Sequence, residues 1–239
     1  MAKKDKIQMA AEQPALSKHE DFVLKNKNAL IGAVVALIVI VAGVIIYNNY
    51  KADKLKAAQA AMQLPELTLE TAMEQLQQST EAFGEQNFER ALQGDSTGAK
   101  GFLQIADEFS STKAGNLANL YAGLCYAHME KWEDAVKYLE KFDDAGDFII
   151  SPAALGALGN AYAHVNQPDK AVKTLVKAAE KADNILQSPL YYIQAGELLE
   201  SQGKKAEALK LYEKVKAMQN TSQSSPYVEM IDEYIERAK

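Results

Sequence analysis

Residues Ser151–Ala179 read SPAALGALGNAYAHVNQPDKAVKTLVKAA, and residues Ser188–Val215 read SPLYYIQAGELLESQGKKAEALKLYEKV. Both open on Ser-Pro, and a third Ser-Pro stands at Ser225, so the dipeptide recurs after 37 and again after 37 residues. Serine is a good N-cap acceptor, and proline is tolerated at the first helical position, where no N–H partner is lost. The same helix start at one fixed period predicts a solenoid of helix pairs.

The pattern extends backwards. A small residue recurs at Gly123, Gly159 and Gly196, with Tyr126, Tyr162 and Leu199 three positions later. Ala135, Ala171 and Ala208 open the second helix of each pair. Leu139, Leu175 and Tyr212 follow them, and then Phe142, Ala178 and Val215. A small residue is needed where two helices cross closely, a large one fills the space beside it, and Ala lets the next pair dock. Pro168 and Lys205 depart from the pattern, standing where Trp132 stands in the earlier pair. FGEQNFERAL at Phe83–Leu92 has the shape of YAHMEKWEDAV at Tyr126–Val136, so an irregular pair precedes these. Either Ala91 or Ala99 is its counterpart of Ala135; Ala91 is favoured, with Ala99–Phe109 completing the pair. Thr68 and Thr71 are candidate caps for a helix over 68–85. After Ser225, Tyr227, Met230, Ile231 and Tyr234 form one apolar stripe without a second helix, as a solenoid cap requires.

The chain has 239 residues, with 13 Gly, 6 Pro and a net charge of −6. Sparse Gly and Pro beside plentiful Ala, Leu, Glu, Lys and Gln favour helix. Residues 1–28 carry six Lys against four acids. Of the chain's 26 basic and 32 acidic residues, the rest keeps 20 and 28, a balance of −8. Acidity of that order excludes a nucleic-acid face, which needs basic residues. The single cysteine, Cys125, excludes an internal disulfide.

Ala29–Tyr47, ALIGAVVALIVIVAGVIIY, is free of formal charge. At 1.5 Å per residue it reaches about 28 Å, close to the ~30 Å hydrocarbon core of a bilayer. A preceding region of 28 residues, the length of the apolar run and the lack of a small-residue cleavage pattern favour a retained anchor over a cleaved signal. Lys18, Lys25 and Lys27 before the span balance Lys51, Lys54 and Lys56 after it; Lys3, Lys4 and Lys6 tilt the count towards a cytoplasmic N-terminus. Residues 1–21 read as a mostly disordered polar tail. Ser17 could cap a short helix with Phe22, Val23 and Leu24 as an interfacial patch. Pro65 is expected to end the helix that leaves the membrane.

These features predict an all-α chain: a single N-terminal transmembrane helix, then a helix-hairpin solenoid closed by a C-terminal capping helix. The expected divisions are a tail over 1–28, a span over 29–50, a stalk and connector over 51–67 and a repeat domain over 68–239. Within that domain the repeats cover about 68–110, 114–147, 151–184 and 188–220, with the cap over 225–238.

The helix pairs resemble tetratricopeptide repeats, on the Gly, aromatic and Ala positions quoted above. The layout of tail, anchor, stalk and repeats, together with KAGNLANLYAGLCYA, resembles the bacterial ancillary SecYEG translocon subunit (YfgM-like) family. That resemblance implies a bacterial inner-membrane protein with a cytoplasmic N-terminus and a periplasmic repeat domain. The implied partners are the SecYEG translocon, periplasmic chaperones or translocating chains. A self-associating adaptor of another envelope complex is the second reading.

No Walker, GxGxxG, HExxH or GxSxG motif occurs, and no enzyme activity or cofactor is expected. Cys125, His128 and His164 are the candidates for a Cys/His metal site, but they lack standard ligand spacing, and no metal is expected. Glu89, Glu130, Glu133 and Asp134 fall at helix starts, where the macrodipole favours acids. Binding remains. In the repeat register the groove-facing slots are Leu120, Leu124 and His128; Gly156, Asn160 and His164; and Ile193, Glu197 and Glu200. They suit an extended peptide or a partner helix, with Asn160 able to bond a peptide backbone. They hold none of the Lys and Arg of a groove that clamps a C-terminal carboxylate.

Overall fold

The computed structural model describes residues 18–77, 81–218 and 226–239. Ser17, most of the expected tail and Ser225 lie outside these residues. The fold is all-α, and among the described residues the only β pairing is an isolated bridge between Gly94 and Lys100. The chain divides into two compact units, Met1–Asp53 and Lys54–Lys239.

The first unit holds helix α1, Lys18–Lys25, and the start of α2, Lys27–Gln77. Phe22, Val23 and Leu24 on α1 are exposed, as are the apolar side chains of α2 from Leu30 to Tyr47. α2 contains a segment long and apolar enough to cross a membrane, none of it buried against protein.

α2 does not stop at Pro65 but runs on to Gln77. An internal proline removes one backbone hydrogen bond and strains the preceding turn, at about 3 kcal/mol. Tertiary packing offsets that cost. Pro65 is buried, and with Leu64 and Thr68 it faces the loop around Gly94 and Lys100. Thr68 and Thr71 therefore lie inside a helix rather than at its start. Their hydroxyls donate to Leu64 O at 2.8 Å and Leu67 O at 2.9 Å.

The second unit continues with α3, Glu81–Gln93, and α4, Phe102–Glu108. Three hairpins follow: α5/α6 (Lys113–His128 and Trp132–Leu139), α7/α8 (Ile150–His164 and Pro168–Ala182) and α9/α10 (Ser188–Ser201 and Lys205–Ala217). Ala91 on α3 is wholly buried, as are Ala135, Ala171 and Ala208. α4 lies within the Ala99–Phe109 stretch expected to complete the irregular pair, and its Phe102 ring meets Tyr121 of α5 at 5.2 Å.

One contact repeats inside each hairpin. A Cβ placed on Gly123 would lie 2.5 Å from Leu139 Cγ, on Gly159 2.7 Å from Leu175 Cγ, and on Gly196 2.3 Å from Tyr212 Cε1. Each glycine thus makes room for the large residue that follows the second helix's Ala by four positions. The turns repeat as well. Glu130, Asn166 and Gly203 all have positive φ, at 56°, 57° and 75°. The next amides, of Lys131, Gln167 and Lys204, each donate across the turn to Tyr126 O, Tyr162 O and Leu199 O at 2.9 Å. This is the six-to-one bond that ends helices in a left-handed residue.

The Ser-Pro serines do not cap their helices. Ser151 and Ser188 are buried in the first turn, each accepting from a loop amide, of Ala145 at 3.0 Å and of Asn184 at 3.1 Å. Their hydroxyls donate to Asp147 Oδ2 at 2.8 Å and to Ala179 O at 2.7 Å. The side chains that hold the chain as it enters these helices are four residues earlier. Asp147 Oδ1 accepts from the amides of Ile149, at 2.7 Å, and Ile150, while Asn184 Oδ1 accepts from Leu186, at 2.9 Å, and Gln187, at 2.8 Å. An Asp or Asn four positions before Ser-Pro was thus the overlooked sequence signal for these helix starts.

The expected single capping helix is split into α11, Pro226–Glu229, and α12, Ile231–Ala238. Its buried stripe is Val228, Ile231, Ile235 and Ala238, whereas Met230 is exposed. Among the ties that hold α12 are Arg237 to Glu200 at 2.6 Å, Lys216 to Asp232 at 2.6 Å, and Lys205 Nζ donating to Arg237 O at 3.0 Å.

Candidate functional site

The first helices of the three hairpins, α5, α7 and α9, line one groove of about 580 Å³. Its walls are Ala127, His128 and Trp132; Ala157, Asn160, Ala163 and His164; and Gln194, Glu197, Leu198 and Ser201. Four of the sequence-derived candidates therefore face it: His128, Asn160, His164 and Glu197.

The other candidates are elsewhere. Leu120 and Ile193 are each only 4% exposed and belong to the apolar core. Leu124 packs beside the core cluster around Ala135 and Leu139. Gly156 is covered by the Tyr191 ring, to which an added Cβ would approach within 2.4 Å. Glu200 is taken up by the cap. It accepts from the Tyr212 hydroxyl at 2.9 Å and from Arg237 Nη2 at 2.6 Å. The Arg237 bonds lower its pKa, against the opposing effect of burial.

Sequence reasoning missed Trp132 as a groove residue. Its indole lies flat on the His164 imidazole, with centroids 3.6 Å apart and planes 5° from parallel. Phe88 and His128 repeat the arrangement at 4.9 Å and 6°. Trp132 opens α6 and Phe88 lies within α3, each three residues before a buried Ala, and their partners His164 and His128 end α7 and α5. The signal was available, because His128 and His164 are 36 residues apart. Burial lowers the pKa of His128, because it disfavours the charged ring.

Cys125 does not join the histidines. It is fully buried in the core, and burial pushes its thiol up to about 12. A protonated, enclosed thiol is a packing group rather than a metal ligand. Among the described residues no three His, Cys, Asp or Glu side chains gather into a metal-binding group.

Residues 20–234 match the tetratricopeptide repeat-like domain family. The chain belongs to that family. The tetratricopeptide hairpins also resemble solved structures. The nearly identical TPR-like repeats of a Podosopora anserina protein described as a kinesin light chain are 17% identical, with a TM-score of 0.55. That likeness covers 74% of this chain and 86% of the other, and it bears on the fold alone. The MamA structure is 15% identical, with a TM-score of 0.41 over 70% of this chain and 91% of the other. No curated protein matches the chain.

Proposed function

We propose that this protein is a single-pass membrane scaffold whose tetratricopeptide hairpins hold other proteins in the groove between α5, α7 and α9. The observation that carries the reading is the groove itself. Trp132 of α6 and His164 of α7 form an aromatic plate, and Asn160 of α7 and Glu197 of α9 add an amide and a carboxylate to the same cavity. Polar groups converging on a partly apolar cavity are the make-up of a recognition site.

The anchor is Ala29–Tyr47. The support is a charge-free run with exposed apolar side chains, which water would solvate poorly. The N-terminus is on the cytoplasmic side of a bacterial inner membrane and the hairpins are periplasmic. The domain limits follow: a tail to residue 28, a span to 50 and a stalk leading into the repeat domain. Partners are proteins of secretion or envelope assembly, and the layout favours an ancillary role at the SecYEG translocon.

A second reading, self-association, draws on exposed apolar side chains in the loops before α7 and α9. Phe148, Ile149 and Leu186 are 68%, 70% and 69% exposed. Photo-crosslinking from position 160 in native membranes tests the first reading and separates it from the second. Capture of translocon subunits or translocating chains supports the scaffold role; capture of copies of this chain alone replaces it with the self-associating adaptor. Release of the full-length chain by carbonate removes the anchor.

A further inference from the structure

Within the groove two acceptors stand close together on α9. Gln194 Oε1 is shielded from solvent without a hydrogen-bond partner, and Glu197 lies three residues further along the same helix. Residues three apart on a helix share a face, so the amide oxygen and the carboxylate are neighbours. Arg237 comes no closer to Glu197 than 3.9 Å and gives its short bonds to Glu200. Tyr234 bonds Glu197 from the cap side. Among the described residues lining the groove there is no Lys or Arg. An anionic segment entering here would meet a carboxylate with no cation facing the cavity. A cationic one would meet Glu197 directly, and Gln194 Oε1 once that amide turns into the cavity.

Asn160 sets the form of the occupant. Its amide makes no hydrogen bond to another described side chain, and it offers one acceptor and a donor pair to the cavity. An extended peptide unit presents the complementary N–H and C=O, whereas a helix has already bonded its own. The Trp132–His164 plate beside it gives an apolar surface for the neighbouring side chain.

We propose that the groove takes an extended segment of another protein carrying a lysine or arginine, its backbone on Asn160 and its cationic head on Gln194 Oε1 and Glu197. This rests on the groove reading above and adds the charge of what is bound.

The test uses the full-length chain in mild detergent and two fluorescein-labelled nonapeptides, one alternating leucine with lysine and one alternating leucine with glutamate. The lysine peptide is expected to bind about tenfold tighter, the equivalent of one charge-assisted hydrogen bond. Glu197→Gln should abolish that preference and Asn160→Ala should weaken binding. Glu213→Gln, on the exposed side of α10, should leave binding unchanged. Preference for the glutamate peptide, with binding still sensitive to Asn160→Ala, overturns the charge assignment and leaves the groove standing. Equal losses in Glu197→Gln and Glu213→Gln also overturn it, since the attraction would then be that of an acidic surface. Failure of both peptides to bind overturns the groove reading as well.

Discussion

The Trp132 indole covers the His164 imidazole at 3.6 Å, joining the second helix of one hairpin to the first helix of the next. The pair serves the interface between hairpins and the groove wall together. A double-mutant cycle of Trp132→Ala and His164→Ala should give a coupling of about 0.5–1.5 kcal/mol, the range of stacked rings beyond their buried area. Urea unfolding of the four proteins measures it.

The glycines of the hairpin crossings should not tolerate a methyl group. At Gly196 the added carbon would meet Tyr212, a wholly buried ring whose hydroxyl is tied to Glu200. Gly196→Ala is expected to cost about 1–3 kcal/mol, the usual penalty for overfilling a packed core. At Gly32, inside α2 where nothing lies within 4 Å, alanine should carry no such cost and should favour the helix. Denaturant midpoints distinguish the two.

Glu130 has the same left-handed backbone as Gly203 in the matching turn. A residue with a Cβ costs about 1–2 kcal/mol there, part of which glycine returns through its looser unfolded chain. Glu130→Gly should therefore raise stability by about 0.5–1 kcal/mol. Asn166→Gly should gain less, since asparagine tolerates the conformation better. Thermal melts are sufficient to test both.

Two groups give stability a defined pH dependence. Arg237 holds Glu200 below the ordinary glutamate range, so its contribution is complete above the unfolded pKa of about 4.5 and is lost as pH falls through the folded value. His128 is also depressed, by burial, so the folded state resists its protonation. Stability should therefore decline first below pH 6.5, the ordinary value for histidine, and again below about 4.5. Melting temperature followed against pH should lose the upper step in His128→Gln and show a smaller lower one in Glu200→Gln, the rest coming from carboxylates such as Asp144 and Asp147 that hydrogen bonds also hold low.

The chain's period was enough to establish helix pairs, their order and the residues at each crossing. Gly123, Gly159 and Gly196 meet Leu139, Leu175 and Tyr212 because local geometry is the same in every hairpin. The candidate groove was only partly legible. His128, Asn160, His164 and Glu197 line it, but Leu120 and Ile193 are core residues.

The reason is physical. A first helix inside a solenoid touches its own partner and the hairpins on both sides, so apolar residues surround most of its circumference. α9 buries Tyr191, Tyr192, Ile193, Ala195 and Leu199, and no stripe in such a pattern marks the narrow free face. Only the packing of α5, α7 and α9 selected that face, just as only the contacts around Pro65 carried α2 past a residue that should have ended it. Periodicity alone determined the hairpins; the side left open, and so the chemistry available to a partner, was decided when they stacked.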